Sequence, residues 1–400
     1  MNSVDSYYIG WIAALPIERA AATAVLDQRY EEPNDFKQHP TDPNSYTWGQ
    51  IGKHNIVIAS LPAGIYGTIS AAATATSLLT SLPQIRIGLL VGIAGGIARP
   101  HQAQDIRLGD VVVSQPKGES GGVIQYDLGK AKAGGKWELR DSLNRLPPVL
   151  LQALSSLQEE HEINPTKIPD ILHDMWRAYP QMAESKRYNP GYVHQGFEND
   201  RLFKPAHNHI GGSTCTECDP SWEIERDPRN STNPKIHYGV IASGNTLVKD
   251  ALSRDLILEA TGEDCACFEM EAAGIVDIFP CLVVRAYEIK RGARSAEDPW
   301  IRYGIMASGD TIIKDATTQD KILSDIGEDI LCFDTIAAGV MHGFPYLVIK
   351  GISDYADSHR NVQWQRYAAA TAAAYAKELL GWIPGGQHPK TRSIDEISLR

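Results

Sequence analysis

The chain has 400 residues, 43% of them hydrophobic, with 34 glycines, 23 prolines and a formal net charge of −11. That composition is typical of a soluble globular protein, and the acidic balance argues against sequence-independent binding of a nucleic-acid polymer. Met1-Asn2-Ser3-Val4-Asp5 lacks the basic start of a signal peptide, no apolar run reaches the roughly 18–20 residues of a membrane span, and six scattered cysteines do not resemble a disulfide framework, so a cytoplasmic location and no membrane partner are expected.

In chain order, Tyr7–Ala14 reads as a buried first strand. Pro16 opens a helix over Ile17–Gln28, at a position where its missing N–H costs least. Trp48–Ser60 reads as strand, turn, strand; Tyr66–Leu82 as a small-residue helix; Arg86–Gly92 as a buried strand. The run Gly92-Ile93-Ala94-Gly95-Gly96 invites a dinucleotide-loop reading, but that motif must open a helix. Here the chain continues to the strand Val111-Val112-Val113, so the reading is rejected; Gly95 and Gly96 still allow close approach of backbone to a ligand. Residues 117–235 are rich in Pro, Gly and charge, with one amphipathic helix at Pro148–Glu160, and read as a long insertion on the core. Then follow a strand (Tyr238–Ala242), a helix (Asn245–Glu259), a strand near Cys267, a helix (Ala272–Ile278) and a strand (Cys281–Arg285). A last helix, Trp364–Leu380, precedes a tail over 384–400. Alternating strands and helices make the fold α/β: a single-core mixed β-sheet flanked by helices, forming one domain over 1–383.

The chain also repeats itself. Trp222–Ala286 is followed directly by a diverged copy, Tyr287–Gly351, at a constant 65-residue offset. About half the aligned positions are identical, far above chance for a repeat of this length. Ala242-Ser243-Gly244 answers Ala307-Ser308-Gly309, and Cys267-Phe268 answers Cys332-Phe333. The copies part where chemistry would sit: Glu269-Met270-Glu271 becomes Asp334-Thr335-Ile336, and only the second copy runs on into Ser353-Asp354-Tyr355-Ala356-Asp357.

Five segments in order, Tyr8–Ala22, Val91–Ser114, Gly239–Lys249, Phe268–Gly274 and Gly351–His359, resemble the purine nucleoside phosphorylase/uridine phosphorylase and nucleosidase superfamily, most closely its fungal branch. The resemblance covers most of the chain and is specific for family, weak for substrate. It implies cleavage of the N-glycosidic bond of a purine nucleoside or nucleotide, by hydrolase or glycosyltransferase (phosphorolytic) chemistry, in a homo-oligomer. Such cleavage leaves an anionic base and an oxocarbenium-like sugar, so an acid must protonate the base and a carboxylate must hold the sugar. By resemblance the acid is Asp354, supported by Ser353 and Asp357; Glu271 binds the ribose hydroxyls and Met270 packs on the sugar. Glu18 aligns with the water-activating glutamate of bacterial nucleosidases, which favours hydrolysis slightly over a phosphate co-substrate. Taken singly each residue has a plainer reading: Glu18 and Glu271 as first-turn helix glutamates, Asp354 as a helix cap, Gly95-Gly96 as a tight turn.

Cys215-Thr216-Glu217-Cys218, close behind His207 and His209, fits either a tetrahedral structural zinc site or reduced thiols in a loop; no other cofactor is expected. Cys265, Cys267, Cys281 and Cys332 sit in apolar, strand-like settings and read as core.

No contiguous copy holds the whole set of site residues. Copy two could fill the core, continuous with Asp354; copy one could fill it with Asp354 returning; copies could exchange between protomers; or the frame could join two alternative exons. Short connections being the rule, copy two is the expected occupant, which would lose the sugar carboxylate. The alternative function is then a ligand-binding or sensor module keeping the fold, or different chemistry in the same pocket. No Gly-x-x-x-x-Gly-Lys-Ser/Thr loop is present, so the chain is expected to stand alone.

Overall fold

The computed structural model describes residues 3–102, 104–117, 120–127, 129–132, 136–139, 146–185, 190–210, 214–245, 248–261, 265–275, 305–308, 311–312, 330–334, 346–355, 359 and 362–385. Strand β1 (Tyr7–Ala13) leads into helix α1 (Pro16–Ala24), then β2 (Gln28–Tyr30), β3 (Thr47–Ile51), β4 (His54–Ser60), α2 (Thr68–Ser81) and β5 (Ile87–Gly96). Next come β6 (Val111–Ser114), β7 (Val123–Gln125), β8 (Gly129–Lys132), β9 (Lys136–Leu139), and helices α3 (Pro148–Ile163), α4 (Ile168–Ala178) and α5 (Pro180–Ala183). The repeated region supplies β10 (Ile236–Ser243), α6 (Ala251–Thr261), β11 (Cys265–Glu269), α7 (Ala272–Ile275), β12 (Ile305–Ser308), β13 (Thr311–Ile312), β14 (Ile330–Asp334) and most of β15 (Tyr346–Asp354), before the last helix α8 (Gln365–Leu380).

A ten-stranded mixed sheet runs β11-β10-β6-β15-β5-β1-β4-β3-β2, with β7 on β10. The expected simple mixed sheet is only half the description. β11 also pairs antiparallel with β5, through Cys267–Gly96 and Phe268–Gly95, so β5, β15, β6, β10 and β11 close into a barrel. The glycine run expected as a loop is therefore the end of β5. A Cβ on Gly96 would stand 2.7 Å from Cγ2 of Ile352 on β15, so the bare backbone lets the ring close.

The core is built from the apolar faces of β1, β4, β5 and β15 and from α8, whose alanines Ala368–Ala370 and Ala372–Ala374 are all buried. Small side chains let α8 lie almost on the sheet: a Cβ on Gly351 would come within 1.9 Å of the Ala368 carbonyl oxygen. Segment 117–235 contributes to this same core through Leu150, Leu154 and Leu157 of α3, and through β7 in the main sheet. Among the described residues no helix is long and apolar enough to cross a membrane.

The main sheet takes β10 and β11 from the first copy and β15 from the end of the second, whereas β12 and β14 pair in a separate two-stranded sheet. This corrects the expectation that copy two fills the core. β10 and β11 of the first copy pair with β6 and β5, over Ile236–Val111 to Gly239–Ser114 and through Cys267–Gly96, so strand pairing and not the shorter connection to β15 selects the occupant. The expected strand Cys281–Arg285, and the tail from 386, lie outside the described residues.

Candidate functional site

Strand β1 delivers its chain end to the first turn of α1, where Glu18 folds back over the junction. Its Oε2 accepts hydrogen bonds from the amides of Ala14 (2.6 Å) and Leu15 (2.9 Å), and Oε1 accepts from the Ile93 amide (2.9 Å). Those donors fix the carboxylate against β5, which must be bare there: a Cβ on Gly92 would lie 2.6 Å from Oε1. Glu18 is 3% exposed, so the plain reading of a solvated helix-start glutamate fails. Burial pushes its carboxyl up to about 7, Lys350 opposing the shift and Glu271 adding to it.

The turn between β11 and α7 positions the second group. The Glu269 carboxylate accepts from the amides of Glu271 (3.1 Å) and Ala272 (3.0 Å), and Ser243 Oγ accepts from the Ala273 amide (2.8 Å). Donors left over at the start of α7 are thereby satisfied by buried side chains, which holds Met270 and Glu271 in one orientation. Lys350, inside the apolar strand β15 and 1% exposed, places Nζ 3.0 Å from Glu269 Oε2 and 3.4 Å from Glu271 Oε2. Burial works against its charge, yet Glu269, Glu271 and Glu18 together hold the ammonium above its ordinary pKa. Burial likewise raises the Glu271 carboxyl, opposed by Lys350 and reinforced by Glu269. Burial and the neighbouring carboxylate charges raise Glu18 and Glu271 alike, so each binds a proton more tightly than a solvated glutamate does.

Asp354 ends β15. Ser353 Oγ donates to the Ala94 carbonyl (3.4 Å) and lies 3.3 Å from Asp354 Oδ2. The next residue, Tyr355, is 1% exposed and clamped from two directions. Its hydroxyl bonds Asp200 and accepts from Arg226 Nη1 (2.8 Å), while Arg254 Nη1 donates to its carbonyl (3.2 Å). Segment 117–235 and helix α6 therefore both set where Asp354 stands.

These groups converge on one cavity of about 370 Å³, lined by Glu18, Glu269, Glu271 and Asp354 together with Met270, Ser353 and Gly95. Tyr126, Val248 and Phe268 add an apolar surface, the two rings meeting edge to face at 5.3 Å. Most residues singled out from sequence thus meet here. Gly96 is not among the lining residues and serves the packing of β15; Asp357 lies outside the described residues. Glu269 and Lys350 were missed. A lysine inside Leu347-Val348-Ile349-Lys350 was the available signal, since a buried cation needs partners.

Cys215 and Cys218 lie with His209 on a different part of the molecule, and Cys218 is shared with a second group formed by His207 and His359. Cys265 and Cys267 are fully buried in β11, as expected of core thiols.

No family model matches the chain. A nucleotide-binding leucine-rich repeat (NLR)-like protein of Hyaloscypha variabilis is 34% identical over 377 residues, which is 94% of this chain. The chain spans 29% of that relative's length. Solved structures with similar coordinates include the 5'-methylthioadenosine/S-adenosylhomocysteine nucleosidase of Neisseria meningitidis in complex with methylthio-immucillin-A, at 14% identity and TM-score 0.46, covering 93% of this chain and 97% of that one. Futalosine hydrolase of Helicobacter pylori aligns at 13% identity and TM-score 0.47, covering 94% and 98%. Likenesses of this size carry no information about substrate.

Proposed function

We propose that the chain is a nucleosidase-like domain over 1–383, with 117–235 as an elaboration of its core, and that it hydrolyses the N-glycosidic bond of a purine nucleoside or nucleotide. The observation that carries this reading is the meeting of Glu18, Glu271 and Asp354 in one cavity, with the Glu18 carboxyl pushed up to about 7.

Each group has a role that its surroundings suit. Asp354, at the strand end and held by the Tyr355 clamp, donates a proton to the departing base. Glu271, steadied by Lys350, accepts hydrogen bonds from sugar hydroxyls, and its charge strengthens those bonds as the sugar becomes cationic. Met270 packs beside the sugar, and the apolar surface of Tyr126, Val248 and Phe268 suits a flat heteroaromatic base. A group titrating near 7 serves as a general base at neutral pH, so Glu18 takes the proton of an attacking water. Four carboxylates and no arginine occur among the described lining residues, a field that favours neutral water over a phosphate dianion.

The test is incubation with adenosine, inosine, guanosine, AMP and ATP, with and without phosphate, scoring free base. Phosphate-independent release is expected; release that requires phosphate would replace hydrolysis by phosphorolysis, and no release in either condition would overturn the reading. One observation favours a second reading, a sensor module: the chain matches 29% of a nucleotide-binding, leucine-rich-repeat-like protein. Thermal stabilisation by a nucleoside without any turnover would select it.

A further inference from the structure

We propose that Cys215, Cys218, His209 and His359 hold one zinc ion, which fastens segment 117–235 to the chain just beyond Asp354. The sequence pattern alone leaned toward free thiols over zinc; the geometry supplies the argument. Cys215–Glu217 form a single 3-10 turn, closed by the Cys218 amide donating to the Cys215 carbonyl (3.2 Å), which turns both sulfurs toward one point. His209 Nδ1 stands 3.4 Å from Cys218 Sγ and 3.8 Å from Cys215 Sγ. With Zn–S near 2.3 Å and Zn–N near 2.0–2.1 Å, adjacent ligand atoms of a tetrahedron lie about 3.5 Å apart. Both separations fit.

The fourth ligand comes from the second group, which shares Cys218 with the first. His359, 4% exposed, has a ring nitrogen within 4.8 Å of Cys218 Sγ, and its ring meets that of His209 edge-on at 5.7 Å. Phe203 stacks on the other face of this imidazole at 4.2 Å. His207 is the fifth candidate. Its ring stacks on Trp222 and on His359, its buried Nε2 has no hydrogen-bond partner among the described residues, and one of its ring nitrogens lies within 4.8 Å of Cys218 Sγ. We place it outside the ligand set, as a donor toward the thiolate, the kind of supporting contact that tunes a metal site.

Location gives the site its consequence. His359 follows Asp354 by five residues, on the same stretch that Asp200 and Arg226 grip through Tyr355. Three ligands belong to segment 117–235, so zinc would close a second fastening between that segment and the acid-bearing strand end.

The experiment is zinc stoichiometry by mass spectrometry on the full chain, purified without a histidine tag, with cobalt(II) exchange as an independent readout. About one zinc per chain is expected, and cobalt should give the thiolate charge-transfer and tetrahedral d–d bands of a two-cysteine site. C215S and C218S should each lower bound zinc at least tenfold, and H359A should do likewise, whereas H207A should retain it. Absence of zinc and of cobalt bands in the wild-type chain would overturn the site, a result that needs no variant to fold. Retention of full zinc by H359A would overturn the assignment of the fourth ligand. Neither readout depends on base release, so this proposal and the enzymatic one fail separately.

Discussion

Two strand pairs in this molecule share one pattern and have different fates. In the first copy Ile241 pairs with Cys267, Ala242 with Phe268 and Ser243 with Glu269; in the second Met306 pairs with Cys332, Ala307 with Phe333 and Ser308 with Asp334. Even the irregularity falls at the same place, between Val240 and Ile241 and between Ile305 and Met306. Yet β10 and β11 join the barrel, while β12 and β14 pair by themselves. Pairing is thus written locally, in side-chain pattern and register. Membership of the core is a matter of further partners: β10 also pairs with β6 and β7, and β11 with β5. Only the first copy offers a glutamate at the position facing the cavity, Glu271, where the second has Ile336.

That contrast can be broken experimentally. The largest effect is expected from Asp354→Asn, which keeps the shape but removes the acid; base release should fall about 10²–10⁴-fold, measured as kcat/KM. Near-normal turnover would mean the second copy's strand carries no chemistry.

Glu18→Gln should lower hydrolysis about 10²–10³-fold, and the wild-type profile sharpens why. A general base must be ionised, so kcat/KM should fall as pH drops through about 7. An acidic limb near 4.5, the ordinary value, would show that Glu18 is not the base. Stability should run the other way. The folded carboxyl binds its proton more tightly than the unfolded one, so Glu18's own contribution to stability is fully present below about 4.5 and is lost as pH rises through about 7. Glu18→Gln should remove that slope from thermal melts.

Exchanging the copies' own residues comes next. Glu271→Ile, writing the second copy's residue into the first, should lower kcat/KM about 10²-fold by leaving sugar hydroxyls without a charged acceptor. The reciprocal Ile336→Glu should change it less than twofold. A larger change in the second variant would mean that the second copy reaches the pocket.

A small effect is also expected from the largest edit. Deleting residues 276–340 joins Ile275 to Met341 in the frame of the repeat and leaves a 335-residue chain with β10, β11 and β15 intact. It should fold and retain kcat/KM within a few-fold. Insoluble or inactive protein would show that the second copy has become part of the working fold.

Five residues that the resemblance singled out by their joint order, Glu18, Met270, Glu271, Ser353 and Asp354, all reach one cavity. Three features were not legible in the sequence. Lys350 looked like an interruption of an apolar strand, and only the fold shows Glu269 beside it at 3.0 Å. The occupant of the core was misjudged because the shorter connection to β15 favours copy two, and strand order was invisible. His359 lies 141 residues from Cys218, far beyond any spacing that marks a metal motif, and was unreadable as a ligand.

The short seam at Gly95 and Gly96 has one more consequence. Joined there, β5 and β11 carry Ile93, which anchors Glu18, and the turn that presents Glu271, while β15 on the other flank of β5 presents Asp354. A ring has no free edge along which one strand can slip past its neighbour. The separation of Asp354 from Glu271 is therefore a dimension of the barrel itself, set when the chain folds.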